Sequence, residues 1–313
     1  MSKVYIKDFK EGIRIDETLL VVSVSKGLTN AGAAYLNVEF QDNSGTIDAK
    51  IWDATENDMA IVQAGNVIRV NGDVLLYRNN LQLRVNKAEA VSEDSFEISD
   101  YLKASPVARE QLQEYIYSYI EQIDNEVLYK LVRKIVVDHE KDYFTYPAAS
   151  RIHHEFVGGL ATHVLGMLRI AENICDQHAF INRSLLYSGI ILHDFGKTTE
   201  LSGPILTHYT TQGRLLGHIS IMHADLLGFA KELGLEDSEE VMLLRHMILS
   251  HHGQYEYGSP VLPMVTEAEI LSYIDDLDAR INMLDKVMEQ TEAREFTSRM
   301  FSLENRSFYK SKL

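Results

Sequence analysis

The stretch Leu192-His193-Asp194-Phe195-Gly196-Lys197 places an imidazole and a carboxylate side by side at the end of an apolar run. The run has the spacing of a buried helix, and Gly196 is a typical signal for the end of that helix. Neighbouring helical residues point about 100° apart, so His193 and Asp194 can share one ion only at the rim of the helix. The stretch predicts a helical domain. On its own the pair favours a buried histidine bonded to an aspartate without a metal, and only the further residues below favour a metal site at the helix end.

Further histidines and carboxylates lie in the same half of the chain, where apolar residues recur at intervals of three and four. His163 lies within such a pattern, where a lone histidine is more often a core residue than a ligand. His218 follows Leu216-Gly217, and His251-His252 ends an apolar helix just before Gly253. The last predicted helix carries Asp275, Asp276 and Asp278.

Length and composition indicate a two-domain globular protein. The chain has 313 residues, of which 45% are hydrophobic and 24% are charged. No apolar run approaches the ~20 residues of a membrane span, and the first residues lack a signal-peptide core. The single cysteine, Cys175, excludes an internal disulfide and a thiolate metal site. We therefore expect nitrogen and oxygen ligands for any metal, and a cytoplasmic location.

The net charge of −16 argues against broad electrostatic capture of nucleic acid, which depends on clustered lysine and arginine. A nucleic-acid substrate is still compatible with this charge. Metal ions neutralise phosphates locally, and aromatic rings in a groove stack on the bases of a single strand.

The hydrophobic period divides the chain into two parts. From Thr18 to about Val91, apolar and polar residues alternate in five short segments separated by turn signals, which favours a small closed barrel such as the OB-fold. After an acidic stretch, the period becomes helical. We predict a multidomain β plus all-α protein, with an OB-like barrel in residues 1–92, a linker in 93–110, a helical domain in 111–295 and a basic tail in 296–313.

One face of the predicted barrel carries aromatic and polar side chains opposite the apolar set. Our candidate nucleic-acid-binding residues on this face are Tyr35, Lys50, Trp52 and Arg84. Aromatic rings stack on bases and cations contact phosphates, as single-strand binding requires. The alternative is a solvated sheet face with Trp52 tucked under a loop.

The order of the histidine and aspartate motifs resembles the HD-domain metal-dependent phosphohydrolases. In both, a histidine precedes a His-Asp pair, and further histidines and a late helical aspartate follow. The resemblance implies a helical HD domain with two metal ions bridged by Asp194. The implied ligands are His163, His193, Asp194 and Asp275 at the first ion, with His218, His251 and His252 at the second. Two alternatives stay open: a histidine of the second site could be replaced by His223 or His246, and Asp275 has competitors in Asp276 and Asp278.

The chemistry of such a site is phosphate-ester hydrolysis. Imidazole with a bridging carboxylate suits borderline to hard divalent ions, and two ions about 3.5–4 Å apart can bind the attacking oxygen and a phosphoryl oxygen together. We predict Asp194 and Lys197 as catalytic residues, because Lys197 could stabilise charge on a phosphate oxygen. A solvent-exposed lysine at a helix end is the alternative for Lys197.

Over nearly its whole length, from about Ile13 to about Arg306, the chain is similar to the YhaM-type 3′→5′ exoribonucleases. The segments that carry the similarity include Ile51-Trp52-Asp53-Ala54-Thr55 and Ile248-Leu249-Ser250-His251-His252-Gly253. The similarity implies Mn²⁺-dependent removal of nucleoside 5′-monophosphates from the 3′ end of single-stranded RNA, with single-stranded DNA as a further candidate substrate. Mg²⁺, Co²⁺ and Fe²⁺ are alternative ions. No membrane partner is expected, and a homo-oligomer is permitted.

Two other functions stay open at this point. The first is an HD-type phosphohydrolase that acts on small or cyclic nucleotides, in which the barrel serves regulation or assembly. The second is a nucleic-acid-binding module whose HD half is inactive, which the full set of implied ligands makes the weakest of the three.

Overall fold

The computed structural model of the chain describes residues 3–29, 32–78, 80–92, 95–102, 105–148 and 156–313. The chain divides into two compact units, Met1–Ala104 and Ser105–Leu313. The first unit is a β-barrel and the second is helical, so the predicted order of an OB-like barrel followed by a helical domain is confirmed. His153 and His154 lie outside the described residues.

The first unit is a closed five-stranded barrel with the strand order β1-β2-β3-β5-β4. Its strands are β1 (Arg14–Leu28), β2 (Ala34–Asp42), β3 (Gly45–Ile51), β4 (Val67–Tyr77) and β5 (Asn80–Ala90), and a short helix α1 (Glu56–Ile61) precedes β4. Neighbouring strands are antiparallel except for β3 and β5, whose parallel pairing closes the barrel together with the pairing of β1 and β4. This connectivity is that of an OB-fold.

The alternation in the sequence explains the two faces of the barrel wall. On β2 and β3, every second side chain points into the barrel and is buried, as for Leu36, Val38 and Ala49. Tyr101, within the segment predicted as a linker, is also buried and lies against β1, where its hydroxyl and that of Thr18 share a hydrogen bond of 2.5 Å.

The helical unit is built around one helix that is buried along almost its whole length. Its helices are α2 (Arg109–Ile120), α3 (Glu126–Asp138), α4 (Glu140–Thr145), α5 (Gly159–Gln177), α6 (Arg183–Leu192), α7 (Lys197–Glu200), α8 (Thr211–Glu232), α9 (Glu239–Ser250) and α10 (Thr266–Glu289). In α6, every residue from Ser184 to Leu192 is buried, because α3, α5, α9 and α10 pack around it. The side chain of Asn182 caps the helix by accepting a hydrogen bond from the N–H of Leu185.

The segment after α10 includes residues 296–313, predicted as a basic tail, and it folds back on its own unit. Phe296 pairs with Tyr309 in an antiparallel bridge. The ammonium of Lys310 donates hydrogen bonds to the carbonyls of Met288 and Thr291, both at 2.7 Å, at the end of α10. Among the described residues, we find no helix with the length and hydropathy needed to cross a membrane.

Candidate active site

The His193-Asp194 pair directly follows α6, in the turn that leads to α7. The next residue, Phe195, is buried, and its ring centroid lies 5.2 Å from that of His139 and 6.2 Å from that of Tyr143. Tyr143 donates a hydrogen bond of 2.9 Å to the carbonyl of Ile191. These contacts hold the end of α6 against the segment of α3 and α4, so the pair is fixed by packing on both sides.

Gly196 does not have the predicted role of a helix stop. Helix α6 ends at Leu192, four residues earlier, and the φ angle of Gly196 is −57°, which any residue can adopt. The glycine is needed for space, because a Cβ here would overlap the carbonyl oxygen of His218. Gly196 therefore allows the turn after α6 to lie directly against α8, which brings His218 close to Asp194.

The carboxylate of Asp194 lies between two groups of histidines. Its Oδ2 atom is 3.4 Å from His193 Nε2 and 3.9 Å from His163 Nε2. Its Oδ1 atom is 3.5 Å from His218 Nε2 and 3.7 Å from His251 Nε2. Two ligands that each lie about 2.1 Å from one ion are roughly 3–4 Å apart, depending on the angle between them. The separations suit ligands that share ions, with each oxygen of Asp194 facing a different group.

The remaining predicted ligands complete these two groups. His163 Nε2 lies 3.2 Å from Asp275 Oδ1, and these residues form one potential metal-binding group with His193. His218, His251 and His252 form the other. Within each group, the ligand atoms all lie within 4.8 Å of one another. The structure therefore brings together all seven residues that the sequence suggested as ligands.

Each of the five histidines is oriented through its Nδ1 atom. In two of them Nδ1 bonds a carboxylate: Asp278 Oδ2 for His163 (2.7 Å) and Glu200 for His218 (3.2 Å). In the other three Nδ1 bonds a backbone carbonyl: that of Ile190 for His193 (2.8 Å), Ile248 for His251 (2.8 Å) and Tyr257 for His252 (2.7 Å). Because a carbonyl or carboxylate oxygen accepts, Nδ1 carries the proton, and a neutral ring then presents the lone pair of Nε2. This arrangement is typical of histidines that bind metal ions.

Glu200 is a functional residue that the sequence analysis missed. Helix α8 is interrupted at Gly217, whose φ of 70° and ψ of 152° are not helical. The backbone N–H of His218 donates a hydrogen bond of 3.0 Å to Glu200 Oε1, and the ring of His218 bonds the same carboxylate. No sequence motif marks Glu200, because its contact with His218 depends on the break in α8.

Four buried atoms at the centre of the cluster have no hydrogen-bond partner among the described residues. They are His193 Nε2, Asp194 Oδ1, His218 Nε2 and His251 Nε2. Leaving a buried polar atom unpaired costs about 1–3 kcal/mol, so their convergence on one place calls for a ligand. Imidazole nitrogen and carboxylate oxygen suit divalent ions such as Mn²⁺, Fe²⁺ and Co²⁺. The side chains present therefore fit a pair of divalent cations.

The electrostatics of the cluster favour cation binding. Burial opposes the charge of Asp194, but Lys197 and the neighbouring histidines hold the pKa of Asp194 well below its usual range. Burial also opposes the charge of His163, yet hydrogen bonds to Asp275 and Asp278 raise the pKa of His163 to about 10. Without a metal this ring carries a proton at Nε2 beside Asp275, and a bound cation would take the place of that proton. On the other side, burial lowers the pKa of His251 well below its usual value, so this ring is neutral and can act as a ligand.

Lys197 lies inside the cluster instead of at the protein surface. Its side chain is 13% exposed, and its ammonium donates a hydrogen bond of 2.6 Å to Asp194 Oδ2. The alternative of a solvent-exposed lysine is therefore wrong for the described structure. A cavity of about 530 Å³ opens beside Lys197 and is also lined by Asp194, His218, His252 and Asp275.

The competing candidates have other partners. Asp276 accepts a hydrogen bond of 2.6 Å from Arg280, and Asp278 bonds the Nδ1 side of His163, so Asp275 is the aspartate beside Nε2. His246 Nε2 accepts a hydrogen bond of 2.9 Å from the N–H of Met264. Neither potential metal-binding group in the described chain includes His223 or His246.

Comparison with known proteins connects this geometry to a family. The family model of the HD domain matches residues 160–280, which include all seven clustered residues. The 3′-5′ exoribonuclease YhaM of Bacillus subtilis is 47% identical over 300 residues, covering 96% of this chain and 95% of that protein. The chain belongs to the YhaM family of 3′-5′ exoribonucleases. The family member of the same name from Bacillus pumilus is 45% identical over 306 residues and covers 97% of both chains.

Solved structures also match part of this YhaM-family chain. The second OB-fold domain of replication protein A from Methanococcus maripaludis covers 31% of the present chain and 100% of that domain, with 19% identity and a TM-score of 0.25.

On the barrel of this YhaM-family chain, three of the four predicted nucleic-acid-binding side chains form one partly exposed cluster. The ring centroids of Tyr35 and Trp52 are 5.2 Å apart, and the ammonium of Lys50 lies 5.0 Å from each ring. Trp52 is 47% exposed, so it is not tucked under a loop. Arg84 pairs with Lys50 in the β3–β5 register, but its guanidinium is bound to Asp73 at 2.9 Å. We call Tyr35, Lys50 and Trp52 the aromatic platform.

Proposed function

We propose that this chain is a metal-dependent 3′→5′ exoribonuclease that releases nucleoside 5′-monophosphates from single-stranded RNA by two-metal hydrolysis. The observation that carries the proposal is the position of Asp194, whose two oxygens face two different groups of histidines at 3.4–3.9 Å. Membership of the YhaM family supports the polarity of cleavage and the RNA substrate.

His163, His193 and Asp275 would hold one ion, His218, His251 and His252 the other, and Asp194 would bridge them. When bound, two divalent cations activate water as a nucleophile and neutralise charge on the phosphoryl group.

The chain itself supplies orientation, charge and substrate guidance. The Nδ1 hydrogen bonds fix the imidazole rings, so little reorganisation is needed when substrate arrives. The ammonium of Lys197 lies beside Asp194 at the cavity, where it can donate to a phosphoryl oxygen as negative charge increases on it. The aromatic platform offers two rings for base stacking and one cation for phosphate contact.

The test is hydrolysis of 5′-labelled single-stranded RNA after chelation and reconstitution with Mn²⁺. We expect a ladder that shortens one nucleotide at a time from the 3′ end, with nucleoside 5′-monophosphate as the product. Asp194→Asn should abolish the ladder, whereas Asp237→Asn, at an exposed carboxylate that does not line the cavity, should leave it unchanged. Turnover of free or cyclic nucleotides without any shortening of RNA would favour the small-nucleotide phosphohydrolase and contradict the proposal.

Several finer parts of the proposal stay predictions. Mn²⁺ as the cellular ion, single-stranded DNA as a second substrate, a cytoplasmic location and assembly into a homo-oligomer each need their own measurement. Reconstitution with Mg²⁺, Co²⁺ and Fe²⁺ in parallel, on RNA and DNA of the same sequence, addresses the first two.

A further inference from the structure

The wall of the cavity beside the metal ligands is strongly acidic. Among the described residues that line it, five are carboxylates: Asp194, Glu200, Asp275, Asp276 and Glu304. The cations among them are Lys197 and Arg280. Lys197 is engaged with Asp194 at the metal ligands, so Arg280 is the cation that is left to interact with the rest of an incoming polyanion.

Arg280 is held in place by carboxylates from two different segments. Its Nε donates to Asp276 Oδ2 at 2.6 Å, and its Nη2 donates to Glu304 Oε1 at 3.1 Å. These bonds use two of the five N–H donors of the guanidinium. Its side chain is 30% exposed and lines the cavity, so the guanidinium is accessible from the same space as the metal ligands.

The spacing along α10 relates Arg280 to the reacting phosphate. Asp275 and Arg280 are five residues apart, which offsets them by about 7.5 Å along the helix axis and turns their side chains about 140° apart. Both side chains nevertheless line the cavity. The axial offset is on the order of the distance between successive phosphates of a single strand. A planar guanidinium binds phosphate oxygens through paired hydrogen bonds, which an ammonium does not reproduce.

We propose that Arg280 binds the phosphate adjacent to the scissile one on its 5′ side, so that the cavity recognises two successive phosphates of the RNA. This inference rests on the proposed exoribonuclease activity and adds a substrate-binding residue to it. Glu304 competes with that phosphate for the guanidinium. Removing the charge of Glu304 should therefore strengthen phosphate binding, whereas removing Arg280 should weaken it.

A purely structural role for the ion pair makes a different prediction. In that case Arg280 and Glu304 would only fasten the segment after α10 to the helix, and loss of either partner would have effects of the same sign. Opposite effects of the two substitutions therefore separate binding from structural support.

The experiment measures inhibition of the hydrolysis of a labelled single-stranded RNA by two dinucleotides, pApA and ApA. Both contain the internal phosphodiester, but only pApA carries a phosphate on the 5′ side of it. We expect pApA to inhibit the wild type at least about tenfold more strongly than ApA, as one charge-assisted hydrogen-bonded pair provides. The ratio of the inhibition constant of ApA to that of pApA should approach one in Arg280→Gln and exceed the wild-type ratio in Glu304→Gln. In Arg280→Lys the ratio should lie between one and the wild-type value.

Control measurements distinguish loss of phosphate binding from misfolding and from absence of the proposed activity. Arg133→Gln removes a surface arginine on α3 that does not line the cavity and should keep the wild-type ratio. Unfolding temperatures of all variants report whether each one folds. An equal inhibition by pApA and ApA in the wild type, or a parallel loss in Arg280→Gln and Glu304→Gln, would overturn the assignment of Arg280. Absence of RNA hydrolysis by the wild type would instead reject the proposed function.

Discussion

Glu200 accepts hydrogen bonds from both the backbone and the ring of His218, at 3.0 Å from the backbone nitrogen and 3.2 Å from the ring Nδ1. The carboxylate thereby satisfies an N–H that the break in α8 leaves outside the helix, and it orients the imidazole toward Asp194. Asp278 likewise orients the ring of His163 in the other group, through a hydrogen bond of 2.7 Å to Nδ1. One histidine of each group is therefore oriented by a carboxylate, and the others by backbone carbonyls.

Substitutions of these two carboxylates should weaken different metal ions. Glu200→Gln keeps the shape but removes the charge behind His218, and we expect about 10–100-fold weaker binding of one Mn²⁺ ion. Asp278→Asn should weaken the other ion by a similar factor. Calorimetric titration of the metal-free protein with Mn²⁺ measures both affinities. If both variants bind Mn²⁺ with the affinities of the wild type, Glu200 and Asp278 do not affect metal binding by His218 and His163.

The ion pair of Lys197 and Asp194 should make stability depend on metal. In Lys197→Met, the buried carboxylate of Asp194 loses a hydrogen-bonded cation, and breaking a buried pair costs about 3–5 kcal/mol. Bound Mn²⁺ supplies positive charge at the same carboxylate. We therefore expect a large fall in the unfolding temperature in the presence of chelator and a smaller fall at saturating Mn²⁺. The same difference from the wild type in both conditions would argue that ions do not contact Asp194.

The aromatic platform should contribute to RNA affinity more than to the chemical step. Trp52→Ala removes a half-exposed ring, and loss of one stacked base costs about 1–3 kcal/mol of binding free energy. Fluorescence anisotropy with labelled RNA in chelator measures this loss without cleavage. Lys50→Ala should also weaken binding, whereas Arg69→Ala removes a barrel cation that is paired with Asp16 and should have little effect. If Lys50→Ala and Arg69→Ala weaken RNA binding equally, Lys50 contributes only general electrostatic attraction and makes no specific contact as part of the platform.

Two glycines of the helical unit should respond in opposite directions to alanine. Gly196→Ala places a Cβ against the carbonyl of His218, so we expect destabilisation of about 1–3 kcal/mol together with reduced activity. Gly228→Ala, inside α8, meets no atom within 4 Å and should stabilise by about 0.5–1 kcal/mol, because alanine loses less backbone entropy in a helix. Chemical denaturation of the two variants and the wild type checks both signs.

Much of the fold could be predicted from the local pattern of apolar and polar residues in the sequence. The period-two alternation of segments such as Leu36–Phe40 follows from one face of each strand being buried, which is a property of neighbouring residues alone. The continuous apolar run of α6 follows in the same way from burial on all sides. The placement of Asp275 ahead of Asp276 and Asp278 came from resemblance and fits the position of Asp275 beside His163 Nε2, whereas Asp278 lies beside Nδ1.

The rest depended on contacts between distant segments. Gly196 was interpreted as a helix stop because a glycine after an apolar run is usually the residue at which a helix ends. Its role is instead to allow the close approach of α8. No local sequence pattern predicts that approach. Glu200 carried no signal for the same reason. The alternation along the strands grouped Arg84 with Lys50 on one face, and the two residues are partners in the β3–β5 register. The bond from Arg84 to Asp73 depends on the neighbouring strand β4, which the alternation does not reveal.

His163 and Asp278 form a direct hydrogen bond although 115 residues separate them in the sequence. Helices α5 and α10 must therefore dock before both groups of ligands exist. Contacts of such long sequence separation are the slow ones in folding. The complete set of ligands is absent from a chain whose synthesis has not yet reached α10 and from a collapsed intermediate with loose packing. Neither species would hydrolyse RNA, so nuclease activity arises only in the native state.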